Sequence, residues 1–121
     1  MILLDTNAVI WLDQDHRRAR PLARAGRLYL SPASLLELQF LHEVGRLQLP
    51  DAGVDAIAHD DRWALDDPPA ASWFLRAADL MWTRDPFDRL LVAHATLRGW
   101  KLATGDDRLL EHLGPRERLA L

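Results

Sequence analysis

MILLDTNAVIWL, residues 1 to 12, changes structural period within a single turn of chain. Met1 to Leu4 is an uninterrupted apolar run, the pattern of a short strand buried on both faces. Asp5, Thr6 and Asn7 are turn formers, and Ala8 to Leu12 reads as a helix entered through them. A strand that yields at once to a helix begins a strand–helix–strand unit, and the same alternation continues down the chain. Pro21 fits the first turn of a second short helix ending near Gly26. Arg27 to Leu30 is the next strand, and Ser31-Pro32 starts a third helix that reaches about Val44, with Gly45 as its stop. Leu49-Pro50-Asp51 is a break, Ala52 to His59 is helical and Trp63 to Leu65 is a short strand. Ala70 to Leu80 is helical, Asp85 opens another helix, Lys101 to Ala103 is a strand and Asp106 to Leu113 a final helix. Arg118 to Leu121 adds an edge strand. The order predicts an α/β fold with a parallel sheet covered by helices.

The 121 residues, 49% of them apolar, suit one compact domain with a real core. No repeat, low-complexity tract or long linker divides the chain, so residues 1–121 are expected to form a single domain. The absence of cysteine removes disulfides, thiolate metal sites and a cysteine nucleophile, and fits a reducing cytoplasm. No window approaches the roughly 18 apolar residues of a membrane span. Net charge is −3, against an undirected nucleic-acid binder, yet fourteen of the fifteen basic residues are Arg, the better phosphate fork. Neither GxGxxG nor GxxxxGK[ST] occurs, which removes dinucleotide and P-loop chemistry. His16, His42, His59, His94 and His112 are scattered at no metal-ligand spacing and are expected at the surface or its boundary.

The acids are more informative. Asp5 ends the first strand, at the carboxyl edge where open α/β sheets gather ligands, although a helix-capping role is as natural for an isolated DTN. In SLLELQFLHEV, Glu37 shares a helical face with Phe40, Leu41 and Val44 and is expected to point inward, whereas Glu43 sits with Gln39 and Arg46 on a solvated face. In DPFD, Asp85 is a good N-cap with Pro86 at the first helical position, which leaves Asp88 in the first turn above Leu91, Val92 and Ala95. Asp106 again stands where a strand gives way to a helix. Each acid alone could be a cap; together they fall at strand ends or on inward faces beside them. Carboxylates about 5 Å apart at an effective dielectric near 20 repel by roughly 3 kcal/mol per pair, which a divalent cation would relieve. Oxygen-only ligands favour a hard ion such as Mg²⁺ or Mn²⁺.

DTNAVIWL, SPASLLELQFL, RDPFDRLLVAHA and LATGDD together resemble a PIN domain, most closely the small VapC-type ribonuclease toxins of type II toxin–antitoxin pairs, over nearly the whole chain. The resemblance implies a three-layer α/β/α domain with a central parallel sheet. It puts the acidic positions on Asp5, Glu37, Asp88 and Asp106 as metal-holding, catalytic residues, with Thr6, Asn7, Ser34 and Thr104 lining or bracing the site. It further implies Mg²⁺- or Mn²⁺-dependent hydrolysis of RNA to 5′-phosphate and 3′-hydroxyl ends, a homodimer, and capture by a small antitoxin. One departure is Trp82-Thr83-Arg84, where related sequences often carry a histidine.

Arg17, Arg20, Arg24 and Arg27 have helix-like spacing and are candidates to track an RNA backbone, although Pro21 interrupts the register and a solvated basic segment is the more usual explanation. Leu35 to Leu47 and Trp73 to Trp82 offer material for a partner or dimer contact, with core burial expected to take the larger share. The rival functions are a non-catalytic RNA-binding or assembly module, a receiver-like domain and a haloacid-dehalogenase-like phosphatase. The second lacks a lysine after a late strand, and the third lacks the second aspartate of DxDxT.

Overall fold

The computed structural model describes all 121 residues and holds one wholly parallel sheet in the order β3-β2-β1-β4-β5. Its strands are β1 (Ile2–Leu4), β2 (Leu28–Leu30), β3 (Ala64–Leu65), β4 (Lys101–Thr104) and β5 (Arg118–Ala120). The helices are α1 (Thr6–Asp13), α2 (Pro32–Glu43), α3 (Val54–Ala58), α4 (Ala70–Ala78), α5 (Pro86–Arg98) and α6 (Asp107–His112), with a 3-10 helix at Arg17–Arg24. Because side chains alternate along a strand, Ile2, Leu4 and Ala103 face one side of the sheet and Leu3 and Leu102 the other. Val9, Leu22, Leu38 and Ile57 pack on the first side, and Leu91, Val92 and Leu109 on the second. The result is the three-layer α/β/α arrangement.

Strand order sets where chemistry can sit. From central β1 the chain builds outward through β2 and β3, then returns to add β4 and β5 on the other side. The switch point therefore lies between β1 and β4, and at the carboxyl ends of two strands whose connections diverge a crevice opens. Asp5 follows β1 and Asp106 follows β4, so both stand at its mouth.

Element boundaries differ from the sequence reading where local chemistry is tighter than pattern. α1 begins at Thr6, not Ala8, since Asp5 itself takes the extended N-cap conformation. α3 begins at Val54 because Gly53 before it has φ +70, outside the helical region. The segment around Pro21 is a 3-10 helix that starts at Arg17, so Pro21 lies in its interior and not in its first turn.

His94 is a plain correction to the expectation that all five histidines lie at or near the surface: it is wholly buried, in the middle of α5. Its Nδ1 lies 3.0 Å from the Ser31 hydroxyl and its Nε2 2.7 Å from Asp66, which also binds Arg98 at 2.8 Å. Burial lowers its pKa, against the opposing pull of Asp66. The Asp66 carboxylate can only accept, so Nε2–H donates to it, and in the neutral ring Nδ1 then accepts the Ser31 hydroxyl, whose Oγ also accepts the Ala33 amide. The order Ser–His–Asp is that of an acyl-transfer triad, but Ser31 is wholly enclosed and engaged as the α2 cap, out of reach of any substrate carbonyl. Local sequence could not show this burial, since the partners lie 63 and 28 residues away.

Candidate active site

Asp5 is fixed by the sheet. Its amide donates to the Ala103 carbonyl, extending the pairing of β1 with β4 by one residue. Its side chain does not cap α1. Instead the carboxylate, 6% exposed, accepts the Thr104 hydroxyl at 2.6 Å. Thr104 Oγ1 in turn accepts the Asp106 amide at 3.0 Å, so one buried hydroxyl ties the ends of β1 and β4 together across the switch point. Burial raises the pKa of Asp5, against weaker opposing pulls from Thr104 and the Thr6 and Asn7 amides.

Asp88 enters from α5. Asp85 caps this helix, accepting the Phe87 amide at 2.8 Å and the Asp88 amide at 3.3 Å, with Pro86 at the first helical position. That leaves Asp88 half-buried in the first turn. Burial lifts its pKa to about 7, and Asp85, Asp5, Asp106 and Glu37 all push it the same way. None of these leading influences is a cation or a hydrogen bond. The answer to whether the four acids meet is thus electrostatic: Asp88 feels each of the other three.

Glu37 reaches the same place on a helical face other than the one expected. Phe40 and Val44 are exposed, and the buried positions of α2 are Ala33, Ser34 and Leu38. Of the three residues expected on its face only Leu41 is half-buried, and Glu37 borders the interior mainly through the residues one turn before it, Ala33 and Ser34. It is half-buried, and burial raises its pKa, opposed by the Thr6 hydroxyl and reinforced by Asp5 and Asp85. Glu43 is exposed and accepts a hydrogen bond from Gln39 at 2.8 Å.

The remaining candidates divide. Thr6 and Ser34, both buried, bond to each other at 3.0 Å and join α1 to α2 beneath Asp5 and Glu37. Asn7 is exposed, and its side chain makes no hydrogen bond. Asp106 is exposed and caps α6, its Oδ1 accepting the Arg108 amide at 2.8 Å and the Leu109 amide at 3.3 Å. The arginine series does not form one track. In a 3-10 helix residues three apart eclipse, so Arg17 pairs with Arg20 while Arg24 falls on the row of Arg18 and Pro21. Arg20 and Arg27 line a groove of about 740 Å³ with Asp61 and Arg62, next to the amino ends of β2 and β3 and away from the acids.

Sequence reading missed the arginine that does reach the acidic edge. Arg18 lies 4.3 Å over the Trp11 ring and donates to the Gly105 carbonyl at 3.4 Å and the Leu121 carbonyl at 2.9 Å. A Cβ on Gly105 would stand 2.6 Å from that ring, so the turn leading to Asp106 needs glycine there. The only signal was the glycine of TGDD; the contact spans 87 residues.

As a donor set the carboxylates fit a hard divalent cation, because they are oxygen-only, partly desolvated and free of basic neighbours among the groups acting on Asp88. No three of them are grouped closely enough to ligate one ion.

The chain belongs to the PIN domain family, whose model matches residues 2–114. It is 30% identical to Ribonuclease VapC22 of Mycobacterium tuberculosis over 123 residues, 95% of this chain and 94% of that protein. Among solved structures it resembles a toxin–antitoxin complex from Klebsiella pneumoniae, with a TM-score of 0.71 at 16% identity over 99% of this chain and 97% of that one. VapBC2 from Rickettsia felis, bound to a DNA fragment from its promoter, gives 0.63 at 18% identity over 96% and 95%. These structural likenesses bear on the fold, which is the α/β/α architecture described above.

Proposed function

We propose that this chain is a divalent-metal-dependent endoribonuclease and the toxin of a toxin–antitoxin pair. The reading is carried by family membership and the ribonuclease name of the relative, and supported by Asp5, Glu37 and Asp88 near the β1–β4 switch point, acids whose pKa values burial raises and whose charges bear on one another. Asp5, Glu37 and Asp88 would hold Mg²⁺ or Mn²⁺. When bound, the ion supplies charge neutralisation at a phosphate and lowers the pKa of an attacking water. Thr104 holds the Asp5 carboxylate in a single orientation, and the Thr6–Ser34 pair fixes the helices that carry the site. Asp106, whose Oδ1 is committed to two amides, is left with one oxygen for a second ion or a water-mediated contact.

The test is incubation of the purified chain with total cellular RNA in Mg²⁺ or Mn²⁺ beside an EDTA control. Cleavage that stops in EDTA is expected, with Glu37→Gln strongly impaired and Glu43→Gln within twofold of the parent, a difference under about 0.4 kcal/mol. RNA bound but left uncut in both ions would turn the reading toward a non-catalytic module. Equal losses in the two glutamate variants would remove Glu37 from the site.

The partner half of the proposal is a homodimer held by a small antitoxin. Supporting it, Phe40 and Val44 on α2 and Phe74, Leu75 and Met81 on and just after α4 are exposed, Met81 to 79%, so more of this apolar material lies outside the core than expected. Trp73 and Trp63 are buried, their indole N–H groups donating to the Leu90 and Ile57 carbonyls. An antitoxin arginine placed among the acids would supply the missing cation. A pull-down from the native host followed by light scattering is expected to return a small co-purifying protein and a dimer mass. A lone monomer that causes no growth arrest on expression would count against the toxin assignment.

A further inference from the structure

The hydrogen-bonded core around His94 serves none of the chemistry above, yet its place relative to the acids is specific. Ser31 starts α2, and Glu37 lies six residues further along it. His94 lies on α5, and Asp88 six residues back along it. The Ser31–His94 bond therefore joins the start of α2 to the middle of α5, about 9 Å of helix rise from each acid. At the other end the Phe40 and Phe87 rings meet edge to face, centroids 5.7 Å apart. Residues 31 and 40 of α2 thus pair with 94 and 87 of α5, which makes the helices antiparallel and brackets Glu37 and Asp88 between two pins.

The two pins differ in kind. Phe40 is 48% exposed, and an aromatic contact of this sort tolerates sliding. The His94 pin is directional and enclosed, with Ser31 and His94 both fully buried and the ring wedged beside Trp73 at 5.3 Å. It is also braced from outside the pair. Asp66 bonds to Nε2, its own amide continues the β2–β3 pairing onto the Leu30 carbonyl, and Arg98 closes on its carboxylate. The sheet, α2 and α5 are thereby referred to one imidazole.

We infer that His94 is a positioning residue: through Ser31 and Asp66 it sets the separation of α2 and α5, and so the spacing of Glu37 and Asp88 at which a divalent ion is held. The inference rests on the proposed metal-dependent function. Loss of the imidazole leaves the acids in place but lets the helices that carry them shift, so metal affinity falls in a chain that still folds. Removal of a group that supports a metal ligand commonly costs about 10–100-fold in affinity, and the loss expected here lies in that range.

The experiment measures Mn²⁺ affinity directly, by electron paramagnetic resonance of free Mn²⁺, with circular dichroism as a check on folding. His94→Leu and Ser31→Gly are compared with the parent chain, with Asp88→Asn and with Leu22→Ala. Glycine is tolerated at an N-cap, so Ser31→Gly removes the cross-helix bond while keeping the start of α2, and it decides the matter if His94→Leu does not fold. Leu22→Ala opens the core on the far side of the sheet from α5 and is expected to lower melting temperature without moving Mn²⁺ affinity. Roughly tenfold or greater weakening in His94→Leu and Ser31→Gly, with helix content retained, supports the inference. Parental affinity in both variants, beside weakened binding in Asp88→Asn, overturns it and leaves the proposed function standing. Equal weakening in Leu22→Ala also overturns it, as general loosening. A parent chain that binds no Mn²⁺, or an Asp88→Asn variant that binds as the parent does, removes the metal-dependent reading and this inference with it.

Discussion

Asp5→Asn and Asp88→Asn are each expected to take RNA cleavage down to the level of an EDTA-treated sample, a larger loss than the roughly 10–100-fold typical of residues that only support a metal. Each substitution removes one of the three negative charges proposed to hold the cation. The same variants are expected to melt at a higher temperature than the parent in the absence of metal. Asp88 is pushed up to about 7 by burial and by Asp85, Asp5, Asp106 and Glu37, so a neutral amide at that position is preferred over a carboxylate. Opposite movements of activity and stability are the signature of a functional acid, since an acid kept for capping would lose stability on replacement. The measurement is paired: RNA cleavage in Mg²⁺ or Mn²⁺, and thermal melting in EDTA. Cleavage retained by both variants, or a clear fall in melting temperature for both, would set the acids down as structural.

The second large effect is expected at Thr104. Thr104→Val keeps the shape and β-branching that suit a strand but removes the hydroxyl that donates to Asp5 at 2.6 Å and accepts the Asp106 amide at 3.0 Å. A buried carboxylate then loses its side-chain donor and a backbone amide its acceptor, each a cost of about 1–3 kcal/mol or more where the group is charged. Metal affinity should fall by about 10–100-fold, as for other groups that orient a ligand. Thr104→Ser, which restores the hydroxyl, should recover most of it. Mn²⁺ titration of the three chains separates the cases: a Val variant that binds as the parent does would show that the hydroxyl does not matter, and a Ser variant as weak as the Val variant would show that the hydroxyl alone is not enough.

Most of this site could be read from sequence because its acids sit at places that sequence marks well. Asp5 and Asp106 follow short apolar strands, and Asp88 follows an Asp-Pro helix start. Those signals are local, and the strands they flank fell within a residue or so of expectation. What was not legible depends on contacts between distant segments. Glu37 was expected to point inward on the face of Phe40, Leu41 and Val44; it is half-buried, but Phe40 and Val44 are left outside, because periodicity alone does not say which apolar stripe of α2 faces the core. The arginines suggested a track only under α-helical spacing, and Pro21 lies inside a 3-10 helix that scatters them. His94 sits among apolar residues in LLVAHA, and neither Ser31 nor Asp66 is near it in sequence. Polar groups satisfied inside a core leave little local trace, since their partners are chosen by topology.

The hydroxyl bridge from Thr104 to Asp5 joins residues 99 positions apart. β4 completes its pairing with β1 only when residues 101 to 104 are available, so the pocket cannot assemble earlier in synthesis. An emerging polypeptide shorter than this has β1, β2, β3 and most helices to hand but no finished catalytic crevice. Long-range parallel pairing of this kind is also slow to form, because the intervening loop must be closed before any contact rewards it. The candidate site therefore cannot be complete before residues 101 to 104 have joined the sheet, an order imposed by strand topology alone.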